Sequence, residues 1–218
     1  MKNQREYKGV ILYADGSVYD GNIHDNLPNG KGRKFFPDSS YYIGTFFNGD
    51  MHGKGKLISE TGPTYEGDWV NGLKDGDGIE TMKDETYEGE FKNGQRNGMA
   101  KWSRGGNTYK GTVLNGNPEG QGTFEWSTGK IYEGEWKDGK PHGKGKITYK
   151  NGDTYEGILV NGERHGNGIL SAANGDRFEG DWVHNKREGN IKISGKGKST
   201  IMTVWKDDKI IDVKGEIK

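Results

Sequence analysis

In this 218-residue chain four copies of an aromatic-acid-Gly-acid stretch carry two carboxylates two positions apart: Glu66/Asp68, Glu88/Glu90, Glu133/Glu135 and Glu179/Asp181. On an extended strand such pairs share a face about 6.5–7 Å apart, near the separation at which two carboxyl groups act as acid and base in glycoside hydrolysis. The recurrence argues against catalysis, because a reaction needs one site. Lys54/Lys56 and Lys144/Lys146 have the same spacing, so a cross-strand Glu–Lys ladder accounts for the pairs. Each exposed pair in it is worth only about 0–1 kcal/mol. His52, His142 and His165 each precede the first glycine of a Gly-x-Gly. Asn29, Asp75, Asn97, Glu119 and Glu188 hold the same place elsewhere, so the slot asks for a polar turn residue. Neighbouring slots fall about 10 Å apart on a sheet, whereas zinc ligands converge to about 2 Å from one ion. Gly197-Lys198-Ser199 ends like a phosphate loop, but Lys192 stands where that loop needs its first glycine. No catalytic residue, metal or cofactor is expected.

The elements that position these residues recur with them. Tyr-x-Gly appears at Tyr19/Gly21, Tyr42/Gly44, Tyr65/Gly67, Tyr87/Gly89, Tyr109/Gly111, Tyr132/Gly134 and Tyr155/Gly157, with Phe178/Gly180 as an eighth copy. The steps are 22 or 23 residues, the mark of a repeat architecture. The first half of each repeat, such as Tyr132-Glu133-Gly134-Glu135-Trp136, alternates with period two and so reads as a strand. The second half, with Gly143, Gly145 and Ile147 in phase, is the returning strand. Asn48-Gly49, Asn71-Gly72, Asn93-Gly94, Asn115-Gly116, Asp138-Gly139 and Asn161-Gly162 join the halves. These dipeptides accept positive φ at both turn positions and are strong hairpin signals. A second turn closes each repeat at Asp15-Gly16, Asn151-Gly152 and Asn174-Gly175. The two short repeats lose their residue there, near Lys83 to Glu85 and Arg104 to Gly106, because a deletion within a strand would turn every side chain to the wrong face. Glycine weakens a strand unless a neighbouring ring covers it, and here glycines and aromatics keep phase.

One line of side chains along this sheet holds Ile23, Phe46, Trp69, Phe91, Val113, Trp136, Leu159 and Trp182; a second holds Ile11, Leu57, Trp102, Phe124, Ile147 and Leu170. A single layer cannot bury both faces, so part of this surface is expected to meet water or a partner. Aromatic anchors dominate interfaces, and Trp69, Phe91, Trp102, Phe124, Trp126 and Trp136 are the expected partner-binding residues.

Composition sets further bounds. Hydrophobic residues are 29% of the chain and mean hydropathy is −1.02, which alone leans toward disorder. The 11 Tyr, 7 Phe and 6 Trp sit in phase, as do many of the 39 Gly, and that periodicity argues for a folded array stabilised neighbour on neighbour. Thirty-two basic and 32 acidic residues cancel, which speaks against nucleic acid as a partner. The chain has no cysteine, hence no disulfide framework. No apolar leader and no run of about 18 apolar residues is visible, and cytoplasmic residence is the expectation.

The pattern Tyr-Glu-Gly-Glu-Trp-x-x-Gly-x-x-x-Gly-x-Gly resembles the MORN repeat (membrane occupation and recognition nexus) over residues 7 to 190. Departures are Ala100 for the second glycine, Ile43 for the glutamate, and Thr112-Val113 and Ile158-Leu159 for the Glu-Trp ending. The resemblance implies an all-β fold, an elongated, single-layer, twisted antiparallel sheet of β-hairpin repeats. It further implies a non-enzymatic scaffold for protein–protein contact, taking a helix or an extended peptide in an aromatic groove within a cytoskeletal or ciliary assembly. Binding to an acidic phospholipid surface is the alternative it offers, and a homodimer through a terminal repeat is a further expectation. By organisation, residues 1–6 are expected to be frayed, 7–189 to form the array starting mid-repeat, and 190–218 to be a degenerate last repeat and C-terminal cap.

Overall fold

A computed structural model describes residues 6–217, which contain strands and turns and no helix. Residues 1–5, within the expected frayed segment, lie outside the described residues; Glu6 already begins the first strand. The chain divides into two compact units, one running to Gly105 with Leu114–Gly116 and the other comprising Gly106–Val113 with Asn117 onward.

The first unit is a sequential antiparallel meander of β1 (Glu6–Leu12), β2 (Val18–His24), β3 (Leu27–Phe35), β4 (Tyr41–Phe47), β5 (Asp50–Ile58), β6 (Thr64–Val70), β7 (Leu73–Met82), β8 (Glu85–Lys92) and β9 (Gln95–Arg104). The second continues the rule with β10 (Asn107–Leu114), β11 (Asn117–Glu125), β12 (Ile131–Lys137), β13 (Lys140–Thr148), β14 (Thr154–Val160), β15 (Glu163–Ser171), β16 (Arg177–Val183), β17 (Lys186–Gly195), β18 (Lys198–Lys206) and β19 (Lys209–Ile217). The fold is all-β, an open antiparallel sheet of hairpins with no second layer of helices.

The turn chemistry follows the dipeptides. Asn48, Asn71, Asn93, Asn115, Asp138 and Asn161 all have φ near +50°, each followed by a glycine of positive φ. Asp25-Asn26, His184-Asn185 and Asp207-Asp208 make the same turn without glycine, tolerated because short Asx side chains bond locally in the left-handed region. Several second turns differ in having a single left-handed residue, as at Gly16 and Gly152, where the Gly152 amide donates to the Tyr149 carbonyl at 2.9 Å, whereas a shortened one has both Gly105 and Gly106 left-handed. Consecutive repeats are tied at the first turns. The amides of Gly49, Gly72 and Gly94 donate to the carbonyls of Pro28, Met51 and Lys74 one repeat earlier, at 2.8–2.9 Å, and those of Gly139 and Gly162 to Pro118 and Pro141.

The hairpin β12/β13 shows why each repeat needs two glycines. Gly143, at φ +66°, forms a bulge where the register shifts between Gly134 and Trp136. The Glu135 carboxylate caps that bulge, accepting the Lys144 amide at 3.1 Å. Gly145, opposite Gly134, lies beneath the Tyr132 ring, which would collide with any Cβ there. The Tyr132 hydroxyl then donates to its own strand at the Glu135 carbonyl, 2.6 Å away. Tyr19, Tyr42, Tyr65, Tyr87, Tyr109 and Tyr155 repeat this bond three residues on.

Candidate functional site: the aromatic face

The aromatic line packs against itself. Tyr65 meets Trp69 at 5.1 Å and Phe91 at 4.9 Å between ring centroids, both edge to face, and Tyr42 meets Phe46 and Trp69 likewise. In the second unit Trp136 lies edge-on to Tyr109 and Tyr132, and Trp182 to Tyr155. Such pairs add about 0.5–1.5 kcal/mol beyond their buried area. The indole N–H groups of Trp69, Trp136 and Trp182 donate to the carbonyls of Gly55, Gly122 and Gly168, the ring-covered glycines of the preceding hairpins. Burial pushes the hydroxyls of Tyr19, Tyr42, Tyr87, Tyr132 and Tyr155 up to about 12. These groups are locked donors and have no acid–base use near neutrality.

Of the surface expected in part to meet water or a partner, the first line is closed. Ile23, Phe46, Trp69, Phe91, Val113, Trp136, Leu159 and Trp182 are all buried. The reason is a covering residue that the sequence pattern did not expose, at the position that ties each repeat to the next. Pro28, Met51, Pro118 and Pro141 hold it in some repeats, and cations hold it in others. Lys74 Nζ stands 4.9 Å from the Tyr65 ring centre and 5.6 Å from that of Phe91; Arg96 lies over Tyr87. Arg164 lies over Tyr155 and Trp182, and Arg187 over Phe178 and Trp205. Apolar stems and cation–π attraction close the face without a second layer. The signal was present as a basic residue shortly after the first turn, but nothing in strand alternation marks it as a lid.

Of the expected partner-binding residues, Trp69, Phe91 and Trp102 belong to the first unit, and Phe124, Trp126 and Trp136 to the second. Trp69, Phe91 and Trp136 are buried in the ring stack, whereas Trp102, Phe124 and Trp126 are half-buried. Phe124 brings two of the others together, 4.6 Å from Trp126 and 6.0 Å from Trp136. Lys130 Nζ lies 4.5 Å over the Trp126 ring, and burial lowers the pKa of this ammonium group below the ordinary lysine value. The Trp102 indole N–H is buried without a hydrogen-bond partner.

One part of the aromatic face remains open. In the first unit a depression of about 570 Å³ is lined by Phe36, Pro37, Met51, Leu57, Trp69 and Leu73, with Lys74 at its margin. Beside it, Glu80 replaces the apolar residue that Leu57 and Ile147 supply opposite Tyr42 and Tyr132. Its carboxylate binds Lys74 and, at 2.6 Å, Arg96, which also reaches Glu85 at 2.7 Å. Burial alone would raise the Glu80 pKa, but the bonds to Lys74 and Arg96 prevail and hold it below the ordinary value.

The other face carries the paired carboxylates, and several of them are tied into the sheet. Glu66 pairs with Lys56 at 2.9 Å and Asp68 with Lys54 at 2.8 Å. Asp68, Glu90 and Glu135 also accept backbone amides at the bulges, from Asp77, Met99 and Lys144. Among the described residues no group of three or more His, Asp or Glu side chains could hold a metal ion. His52 packs against Phe47, 5.6 Å between centroids, and its Nδ1 is buried without a partner. No helix among the described residues is long and apolar enough to cross a membrane.

No curated protein sequence matches the chain. Among solved structures, the TCP domain of SAS-4 (dCPAP) from Drosophila melanogaster, in complex with a proline-rich motif of Ana2 (dSTIL), aligns with 80% of this chain and 90% of its own. Its identity is 12% and the TM-score 0.43. The TCP10 domain of Danio rerio CPAP aligns with 94% of this chain and 98% of its own, at 11% identity and a TM-score of 0.33. The MORN repeat matches residues 19–41, 42–64, 65–86, 87–107, 109–131, 132–154, 155–177 and 178–190 in unbroken series. With its tyrosine, glycine and tryptophan positions assigned to ring, bulge and stack, the chain belongs to the MORN-repeat family.

Proposed function

We propose that this array is a non-enzymatic scaffold that holds a protein segment against its aromatic face, at the open depression beside Trp69. The observation that carries the reading is the depression itself. Along the rest of the line the rings are closed over by one another and by the covering residues, yet here Phe36, Met51 and Leu57 are half-buried and Leu73 is exposed, forming one apolar lining. Leu73 is 48% exposed. Such a patch suits the apolar side chains of a helix or an extended peptide. A cytoskeletal or ciliary assembly is the setting the family resemblance implies.

The test is selection of 16-residue peptides from a random library on the folded chain, followed by amide-exchange footprinting. Bound peptides should protect the amides around Met51, Leu57 and Leu73. Leu73→Asp should weaken them at least about tenfold, as expected for a charge placed in an apolar contact. Binding unchanged in both Leu73→Asp and Phe36→Ser would overturn the site.

A phospholipid surface is the second reading, favoured by one observation. Lys8, Lys31, Arg33 and Lys54 line a second depression of about 550 Å³ on the polar face. Sedimentation with anionic vesicles at low and high salt tests it, because attraction to such lipids fades with ionic strength. Absence of binding at low salt would remove this reading.

A further inference from the structure

The polar face of the first unit is complementary to itself. One row of side chains crosses it in continuous register: Asp20, Arg33, Ile43, Lys56, Glu66, Ile79, Glu88 and Lys101, one from each strand β2 to β9. Read outward from the midline between β5 and β6, each residue has its opposite on the other side. Lys56 mirrors Glu66, Arg33 mirrors Glu88, and Asp20 mirrors Lys101. The two uncharged members, Ile43 and Ile79, mirror each other. A parallel row just beyond the glycines places Lys31 and Lys54 on the β2–β5 side, and Asp68, Asp77 and Glu90 on the other.

Alternation of sign follows from the repeat, since first halves carry acids and second halves carry bases. The isoleucines do not follow from it. They replace an acid on β4 and a base on β7, and only a two-fold axis along the β5/β6 midline sets one against the other. Neighbouring centres fail: one between β4 and β5 sets Ile43 against Lys56, and one on β4 sets Arg33 against Lys56 and Asp20 against Glu66. In the second unit a corresponding midline, between β13 and β14, would oppose Glu133 to Ile169.

We propose that this face is where a second copy of the chain docks, stacked face to face about that axis. Arg33 then meets Glu88 of the other copy, Lys31 meets Glu90, and Ile43 meets Ile79. The inner charges Lys54, Lys56, Glu66 and Asp68 are already paired within one chain. Asp20, Lys31, Arg33, Glu88 and Lys101 are exposed and have no ion-pair partner among the described residues, and Ile43 and Ile79 are 43% and 45% exposed. These charges are therefore free to pair with those of a second copy. At about 4.8 Å between strands and ~3.3 Å per residue, the patch covers roughly 600 Å² per copy. The total of about 1,200 Å² sits at the lower end of specific interfaces. A depression of about 770 Å³ between the rows stays wet on stacking. The association is accordingly concentration-dependent and weakened by salt.

Sedimentation velocity on the full chain tests the arrangement. The wild type should dimerise at about 50 mM salt and dissociate near 500 mM. Arg33→Glu alone, and Glu88→Arg alone, should each weaken the dimer at least about tenfold, because like charges then face each other. An equimolar mixture of the two variants should restore it, since each supplies the charge the other lacks. Within one chain these residues are five strands, roughly 24 Å, apart, so an intramolecular pair cannot explain that recovery. The proposal falls if the wild type stays monomeric at low salt, if either reversal leaves a dimer untouched, or if the mixture associates no better than its components.

Discussion

The Tyr65 ring occupies the space that any side chain on Gly78 would need. A Cβ added to Gly78 would lie inside van der Waals contact with the ring carbons and the hydroxyl. The hydroxyl meanwhile bonds the Asp68 carbonyl at 3.0 Å. Ring and glycine thus form one unit of structure, and strand glycine, normally destabilising, becomes obligatory.

Gly78→Ala should therefore destabilise by about 1–3 kcal/mol or more through overpacking. Gly72 offers the contrast: its φ is +78°, and nothing lies within 4 Å of an added Cβ. Gly72→Ala should cost only the left-handed strain, about 1–2 kcal/mol. Urea unfolding measures both losses, and an unchanged midpoint in Gly78→Ala would show that the ring contact contributes nothing.

Ser39 stands in a second turn at φ +66°, where Gly16, Gly129, Gly152 and Gly175 hold the equivalent place. Ser39→Gly should raise stability by roughly 0.5–1 kcal/mol, as relief of left-handed strain outweighs the added freedom of the unfolded chain. A higher urea midpoint at unchanged slope is the expected readout.

Phe178 lacks the hydroxyl of its counterparts, and Ile191 fills the place of the glycine beneath the ring. Thr203 and Trp205 are rewired to match: the Thr203 hydroxyl donates to the Ile191 carbonyl at 2.9 Å, and the Trp205 indole N–H donates to that hydroxyl oxygen at 2.7 Å. Tyr132→Phe should cost about 1 kcal/mol for the lost bond to Glu135. Phe178→Tyr should bring no gain, because Ile191 takes the room a hydroxyl would use. Thermal midpoints of the two variants check the asymmetry.

Glu80 links folding to acid. Its folded pKa is depressed because the bonds to Lys74 and Arg96 outweigh burial. A depressed carboxyl stabilises the folded state above its unfolded pKa, about 4.3, and loses that contribution as pH falls through the lower folded value. Stability should thus be steady from neutrality to about pH 5 and decline below about pH 4. Glu80→Gln should cost roughly 1–3 kcal/mol at pH 7, since two half-buried cations lose a charged partner. It should also flatten the acid limb. An acid limb of unchanged steepness in Glu80→Gln would assign the decline to other carboxylates.

The sequence by itself determined the strands, their register and their turns. Tyr-x-Gly recurring every 22 or 23 residues leaves one alternation, and Asn-Gly admits one tight hairpin turn. It also reduced the carboxylate pairs to a ladder, because a recurring pair points to packing. What it left to the tertiary structure was which rings stay accessible. Trp69 and Trp136 read as anchors by type, yet edge-to-face neighbours, with Tyr42 and Tyr109 of the preceding repeats among them, bury them. That burial depends on residues one repeat away, beyond the reach of strand alternation. Lys74, Arg96, Arg164 and Arg187 look like solvated charges in the sequence, and only the register between strands sets them over aromatic rings. The two-fold charge pattern around Lys56 and Glu66 is likewise invisible along the chain, since it exists only across strands. Period and turn chemistry are local properties of a chain, whereas exposure and complementarity are properties of the surface that packing leaves.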